Sequence, residues 1–391
     1  MYKAYVYFAF CLFLLPVHAR QTQPIVVGAE RSNLYLPMLT GKRIAVLTNQ
    51  SGKIGNENIV DFLKSKNVQI ITIFSPEHGF RGNADAGEHV GNSIDEKTGI
   101  PIHSLYGGNS GKSVDSVMQS IDILIFDLQD VGLRYYTYLT TMVHVMNSCA
   151  THHLKMIVLD RPNPNGFYVD GPILDMNYKS GVGSLPVPVV HGMTLGELAK
   201  MVNGEKWLAK GAQCDLTVIT CLYYTHAMHY QLPVPPSPNL PNMRSVYLYS
   251  SLCYFEATPV SIGRGTDLPF QQFGNPDLKG YTYHFTPQSR TGAKNPPQLN
   301  KSCNGKDLHT SPDDNELFKN GIDLSYLVET YQKLNMGDAF FSSFFEKLIG
   351  VQYVRQMIEA GKSASEIKTC WKGDVDKFKK QRQPYLLYPE L

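Results

Sequence analysis

Short, almost uninterrupted apolar runs recur along the first half of the chain, and helical segments separate them. The apolar runs lie at residues 43–48, 68–74, 122–128 and 155–160. Strands that are apolar along their whole length are buried on both faces, which is typical of parallel sheets covered by helices. The pattern therefore predicts an α/β fold built on a Rossmann-like parallel sheet.

A change of pattern follows this sheet. The Pro-rich segment 232–241 indicates an ordered connector, and helical patterns follow at residues 326–334 and 344–360. The chain has 391 residues, more than the roughly 250–300 at which single cores stop growing. We expect residues 20–234 to form the Rossmann-like domain and residues 235–391 a second, smaller α/β domain, with a cleft between them.

The first 19 residues have the pattern of a signal peptide. Lys3 precedes an apolar run at residues 5–15, which is shorter than the ~20 residues of a membrane span. Val17 and Ala19 fit the small residues that precede a signal cleavage site. We predict that residues 1–19 are removed, that the protein is exported to the periplasm or secreted, and that the mature chain has no membrane span.

Charge and residue spacing narrow the classes of partner and cofactor. The formal net charge of +2 gives no electrostatic reason to expect nucleic-acid binding. The cysteines beyond residue 19 show no CxxC pattern, and the histidines form no i, i+4 pair with an evident third ligand. We therefore expect no metal site and no cofactor. The spacing assigns no disulfide and leaves the oligomeric state open.

Polar loops follow four of the predicted strands. Because the carboxyl ends of parallel strands share one edge of a sheet, these loops are expected to converge on one ligand site. The candidate residues in them are Asn49, Glu77, His78, Asp127, Asp130, Arg134, Tyr135, Tyr136, Tyr138, Arg161 and Asn163.

The segment Ser75-Pro76-Glu77-His78-Gly79 is the sharpest of these motifs. The proline ends the strand and the glycine permits a tight turn, so Glu77 and His78 are presented at the edge of the sheet. Partial burial there would raise the pKa of the Glu77 carboxyl, as a general acid requires. The alternative is that both side chains only hydrogen-bond loop amides.

Asp127 and Asp130 bracket the end of another apolar strand, and Arg134 follows closely. A neighbouring arginine keeps a carboxylate ionised, as expected for a base, a nucleophile or a stabiliser of positive charge. An internal Asp–Arg pair that braces the loop explains the same pattern. Three tyrosines lie close to them in the sequence, and their two alternative roles are filling the core and stacking on a sugar ring. They are Tyr135, Tyr136 and Tyr138.

Arg161 and Asn163 lie in a rigid turn and are able to grip a carboxylate and an amide of a ligand, although turn chemistry alone also accounts for the segment. His191 is expected either to face the cleft or to have a structural role. It precedes Thr194 and Glu197, which match a capping box, so Glu197 is expected to be structural.

The second domain contributes two more candidates, each equally consistent with a structural role. Glu256 follows an apolar run that resembles a strand, and Arg264 lies between two glycines. Both are expected to face the cleft from the side opposite the sheet.

Seven segments, in this order, resemble one family, the exo-acting β-N-acetylmuramidases of the NamZ kind. They are SPEHG (75–79), FDLQDVG (126–132), RYYTY (134–138), LDRPNP (159–164), HGMT (191–194), PPSPN (235–239) and GRGT (263–266). The resemblance extends from about residue 41 to residue 388. The chain departs from it at residues 303–305, where Cys-Asn-Gly replaces a frequent Cys-Gly-Gly, and in the loop 107–112.

The resemblance implies removal of N-acetylmuramic acid from non-reducing ends of peptidoglycan-derived muropeptides or disaccharides, in a cleft between the two domains. Glycoside cleavage commonly uses two carboxyl groups. We expect Glu77 to be the general acid, with His78 beside it, and Asp127, Asp130 or the substrate acetamide to be its partner. The remaining candidates are expected to contact substrate: Asn49, Arg134, Tyr135, Tyr136, Tyr138, Arg161, Asn163, His191, Asn239, Glu256 and Arg264.

Two other classes of function fit parts of the sequence. A two-lobed exported protein can bind muropeptides or sugars without catalysis. Residues 106–113 resemble a P-loop, which would suggest a phosphotransferase, but only three residues separate Gly107 from Gly111 where the motif needs four. We therefore do not expect nucleotide binding.

Overall fold

The computed structural model describes residues 23–77, 79–80, 92–105 and 115–391. Three of the sequence-based expectations lie outside these residues. They are the signal peptide at residues 1–19, His78, and the P-loop-like segment 106–113.

The described strands and helices alternate through the first half of the chain, and helices dominate the second half. The strands are β1 (Arg43–Thr48), β2 (Lys53–Ile54), β3 (Glu57–Asn58), β4 (Gln69–Ser75), β5 (Ser93–Ile94), β6 (Pro101–Ser104), β7 (Ile123–Asp127), β8 (Lys155–Leu159), β9 (Asp170–Ile173), β10 (Pro188–Val190), β11 (Asp215–Ile219), β12 (Gln272–Asn275), β13 (Tyr283–Phe285) and β14 (Cys303–Asp307). The α-helices are α1 (Ser32–Leu39), α2 (Ile59–Ser65), α3 (Tyr138–His152), α4 (Leu195–Gly204), α5 (Met243–Leu252), α6 (Asp314–Asn320), α7 (Ser325–Leu334), α8 (Phe345–Ile349), α9 (Tyr353–Glu359), α10 (Ala364–Thr369) and α11 (Lys372–Arg382). Among the described residues, no helix is both long enough and apolar enough to cross a membrane.

A seven-stranded sheet organises the first part of the molecule, with the strand order β11-β8-β7-β1-β4-β6-β5. Neighbouring strands are parallel except for β5, which runs antiparallel to β6 at one edge. The predicted α/β fold with a Rossmann-like sheet is therefore confirmed.

Both faces of the sheet are covered. In β1, Ala45 and Leu47 belong to one hydrophobic cluster, and Ile44 and Val46 belong to another. Successive side chains of a strand point to opposite faces, so the two clusters lie on the two sides of the sheet. This explains why the strands read as continuous apolar runs rather than as alternating ones.

The second part of the molecule combines the antiparallel sheet β12-β14-β13 with helices α5 to α11. Its core is continuous with that of the first part, because Phe74 of β4 belongs to the same hydrophobic cluster as Phe273 and Trp371. The end of the chain returns to the first part, where the Tyr388 hydroxyl donates to Asp160 Oδ2 at 2.6 Å. A domain boundary at residue 235 stays a prediction.

The apolar run before Glu256 was expected to be a strand and is a helix. Asn242 caps α5 by accepting a hydrogen bond from the Ser245 backbone, and a 3₁₀ turn, Cys253–Ala257, follows. The helix buries eight of its ten residues, serines as well as apolar residues, so its sequence lacks the one-sided apolar stripe of a surface helix. An apolar run of this kind cannot be assigned to a strand or a helix by periodicity alone.

Candidate active site

A cavity of about 260 Å³ lies where loops from the carboxyl edge of the large sheet meet residues from the second part of the chain. Glu77, Tyr135, Tyr136 and Thr137 line it from the sheet side. The opposite side is formed by Asn239 of the Pro-rich connector and by residues that follow it, including Tyr249, Glu256, Arg264 and Phe270. The cavity therefore takes side chains from both parts of the chain.

Glu77 lies just beyond β4, as the Pro76 turn predicted. Its Oε2 accepts a hydrogen bond from the Thr137 hydroxyl at 2.7 Å. Thr137 is the residue at the N-terminal end of α3, so the carboxyl group lies at the positive end of a helix. A hydroxyl group both donates and accepts, so Thr137 can support Glu77 in its ionised and its protonated form.

Glu256 and Arg264 form an ion pair on the opposite side of the cavity, with 2.7 Å between Arg264 Nη2 and Glu256 Oε1. Both side chains keep 23% of their surface exposed. Burial raises the pKa of the Glu256 carboxyl, the Arg264 charge lowers it, and the negative charge of Glu77 raises it further. Glu77 therefore acts on the pKa of Glu256 from another side of the same cavity.

The backbone conformation around Arg264 requires glycine on both sides. Gly263 has φ +78° and Gly265 has φ +79°, and a Cβ on Gly265 would lie 2.3 Å from the Gln288 carbonyl oxygen. The tight loop turns Arg264 toward the cavity and over the Phe270 ring, at 5.6 Å from its centroid. Arg264 Nε is buried and has no hydrogen-bond partner among the described residues.

Asp127 and Arg161, both expected at the site, form an internal pair instead. Arg161 donates to both carboxylate oxygens of Asp127, at 2.6 and 2.9 Å, and also to the Lys53 carbonyl oxygen. The Asp127 side chain is fully buried and that of Arg161 is 3% exposed. Each group satisfies the other and neither lines the cavity of about 260 Å³, while the catalytic role of Asp127 and the substrate contact of Arg161 stay predictions.

Arg134 is also bound inside the protein, and its expected substrate contact stays a prediction. Its guanidinium group is fully buried and donates to the carbonyl oxygens of Pro172, Val187, Leu348 and Ile349 at 2.7 to 3.1 Å. Burial lowers the pKa of Arg134 to about 10. The side chain joins the loops of the first part to the end of α8 and does not reach the cavity.

Asp130 and His191 lie together in the interior. Asp130 Oδ2 accepts from the Gly132 backbone at 2.6 Å and lies 3.9 Å from His191 Nε2. Burial raises the pKa of Asp130 to about 7 and lowers that of His191 to about 3, so His191 is neutral. Neither side chain lines the cavity of about 260 Å³, and the expected catalytic role of Asp130 and the expected substrate contact of His191 stay predictions.

Replacing Asp130 by Asn is expected to flatten the pH dependence of stability. The folded-state pKa of about 7 exceeds the ordinary 3.8, so the folded protein binds this proton more tightly and loses stability as pH rises from about 4 to 7. At about 1.4 kcal/mol per pKa unit, the loss is on the order of 4 kcal/mol. Urea unfolding from pH 4 to pH 7 measures it. Parallel profiles for the wild type and Asp130→Asn would contradict the raised pKa.

Asn49, Tyr138 and Asn163 were expected to contact substrate and belong to internal networks instead. Asn49 Nδ2 donates to the Tyr138 hydroxyl at 2.6 Å, and Asn163 Nδ2 donates to the Met193 carbonyl oxygen at 2.8 Å. These bonds fix the loops behind the cavity. Six expected site residues do line it together: Glu77, Tyr135, Tyr136, Asn239, Glu256 and Arg264.

The sequence analysis missed Thr137, Tyr249 and Phe270. Thr137 had only the signal of a residue at the start of a helix, although its side chain makes no cap hydrogen bond in the structure. Tyr249 and Phe270 had none, since an aromatic residue in an apolar stretch reads as core.

The expected capping box is confirmed: the Thr194 hydroxyl accepts from the Glu197 backbone, and the Glu197 carboxylate accepts from the Thr194 backbone.

Known proteins resemble this chain along almost its full length. The family models for the N-terminal and C-terminal parts of the exo-β-N-acetylmuramidase NamZ match residues 44–244 and 247–388. The peptidoglycan β-N-acetylmuramidase NamZ of Bacillus subtilis is 37% identical in an alignment of 378 positions, and the match covers 90% of this chain and 89% of that protein.

Two solved structures of DUF1343 family proteins from Bacteroides fragilis share the fold. One is 57% identical with a TM-score of 0.87, and the match covers 94% of this chain and 99% of that one. The other is 28% identical with a TM-score of 0.79, over 93% of this chain and 99% of that one. The chain belongs to the NamZ exo-β-N-acetylmuramidase family of glycosidases.

Proposed function

We propose that this protein hydrolyses the glycosidic bond that joins a non-reducing terminal N-acetylmuramic acid to the rest of a peptidoglycan fragment. Glu77 is the general acid, and Glu256 is the second carboxyl group. The observation that carries the proposal is that these two carboxyl groups face one cavity from the two parts of the chain. The family to which the chain belongs supplies the substrate class.

The proposed reaction transfers the Glu77 proton to the glycosidic oxygen while the bond from that oxygen to C1 of the muramic acid breaks. Water supplies a hydroxyl group to C1, and its remaining proton restores the enzyme. Glu256 is held in place by Arg264. Its carboxylate stabilises the positive charge that develops on the sugar ring, and it acts as a nucleophile, as a base toward water, or as a support for the substrate acetamide. The anomer first released, observed by NMR, separates inversion from retention.

Arg264 is also suited to the lactyl group of muramic acid. One of its nitrogens, Nη2, holds Glu256, while Nε is buried without a partner in the described part of the chain. A buried donor without a partner costs free energy that a ligand acceptor recovers. The lactyl carboxylate provides such an acceptor, and the rings of Tyr136 and Phe270 offer apolar surface to the sugar.

The test is turnover of the disaccharide N-acetylmuramyl-β-1,4-N-acetylglucosamine by the purified protein. We expect release of both monosaccharides, and release of muramic acid alone from longer fragments that begin with it. Fragments that begin with N-acetylglucosamine are expected to stay intact, because an exo-acting site admits only the terminal unit. Binding of the disaccharide without any product would favour a non-catalytic sugar-binding protein. Export remains part of the proposal and rests on the pattern of residues 1–19.

A further inference from the structure

A second cavity, of about 270 Å³, adjoins the first. The start of α3 lines it with Thr137, Thr140, Thr141 and His144, and Val182 closes one side. Thr137 and Val182 also line the first cavity. The two spaces therefore meet at these two residues, and their volumes are nearly equal.

Glu77 lines the first cavity and lies beside this junction. Its carboxyl group is hydrogen-bonded to the hydroxyl of Thr137, which faces both cavities. A general acid must lie within hydrogen-bond reach of the oxygen that it protonates. A glycosidic oxygen connects two sugar units, so an acid at the junction implies one unit in each cavity.

We propose that the second cavity is the binding subsite for the N-acetylglucosamine unit that leaves when the glycosidic bond is cut. This inference rests on the proposed function, which places N-acetylmuramic acid in the first cavity beside Glu256 and Arg264. The released unit keeps the glycosidic oxygen and the proton from Glu77, and departs through the second cavity.

The lining of the second cavity suits an uncharged sugar. It contains the hydroxyl groups of Thr140 and Thr141 and the exposed imidazole of His144, beside the apolar Leu105 and Val182. The Thr140 hydroxyl makes a 3.2 Å bond to the Ser184 hydroxyl and has a lone pair left for a sugar hydroxyl. The described residues that line this cavity include no lysine or arginine, which are the residues that would bind an acidic peptide.

The test compares the affinities of N-acetylmuramic acid and of the disaccharide in the Glu77→Gln protein, by calorimetric titration. We expect the disaccharide to bind at least tenfold more tightly. The added pair Thr140→Val and His144→Ala is expected to reduce this gain to below threefold, while the Kd of the monosaccharide changes by less than twofold. Thr151→Val, exposed on the far end of the same helix, is the matched control and is expected to retain the gain.

The possible outcomes separate the two proposals. Binding of N-acetylmuramic acid with no gain for the disaccharide, or with a gain that survives the double substitution, overturns the subsite alone. A gain for muramoyl dipeptide that the double substitution removes assigns the cavity to the peptide stem and also overturns it. Failure of both sugars to bind overturns the proposed function and the subsite together.

Discussion

Replacing Glu77 by Gln is expected to lower kcat/KM for the disaccharide by about 10²- to 10⁴-fold, the usual contribution of a general acid. Glutamine keeps the size of the side chain and a hydrogen bond to Thr137, but it has no proton to give. The folded structure should therefore survive, and the measurement is initial-rate kinetics on protein whose unfolding midpoint matches that of the wild type.

A second substrate separates proton donation from a structural role. A muramic acid glycoside with a dinitrophenyl leaving group needs little protonation, so Glu77→Gln is expected to lose far less activity on it than on the disaccharide. Glu359→Gln, an exposed substitution on α9, is the control and is expected to leave both rates unchanged. Equal losses on the two substrates, or disaccharide turnover within threefold of wild type, would remove Glu77 from the acid role.

Replacing Arg161 by Met is expected to lower the free energy of unfolding by about 3–5 kcal/mol, because it leaves Asp127 buried without its partner. Two charge-assisted hydrogen bonds to Asp127 and one hydrogen bond to the Lys53 carbonyl oxygen are lost together. Urea unfolding measures the loss. A decrease below about 1 kcal/mol would show that the buried pair contributes little.

The double substitution Asp127→Asn and Arg161→Met is the matched comparison, and it is expected to lose less than Arg161→Met alone, because no unpaired charge remains. The pH dependence has a definite sign. Burial raises the pKa of Asp127 above its unfolded value, and removing Arg161 removes a charge that opposes this rise. The folded single variant therefore binds the proton more tightly, and it should lose stability as pH rises from about 4.

The sequence predicted the large sheet well because burial leaves a local signal. Strands covered on both faces are mostly apolar, as Ile44 to Leu47 of β1 show. The same reasoning failed before Glu256, where a helix buried on most of its circumference shows no one-sided apolar stripe. It missed the break in the pattern 344–360, where α8 ends and Gly350 adopts φ +87° before α9 begins.

The candidate site was predicted in part. Two of the four loops expected to converge at the carboxyl edge of the sheet line the cavity, with Glu77 and with Tyr135 to Thr137. Asp127 ends β7, Arg134 and Arg161 lie in the loops that follow strands, and carbonyl oxygens or an opposite charge inside the protein satisfy all three side chains. A charged residue in a rim loop has the same sequence pattern whether it binds substrate or braces the loop.

The sequence by itself determined the fold class and the turn after β4 that carries Glu77, and it predicted the edge of the sheet at which a ligand is expected. These follow from the apolar pattern, from Pro and Gly, and from chain order, which all act between neighbouring residues. Only the tertiary structure brought Glu256 and Arg264 to the same cavity and paired Arg161 with Asp127. Such pairings depend on how distant segments pack against each other, and no local pattern encodes the partner of a side chain across that distance.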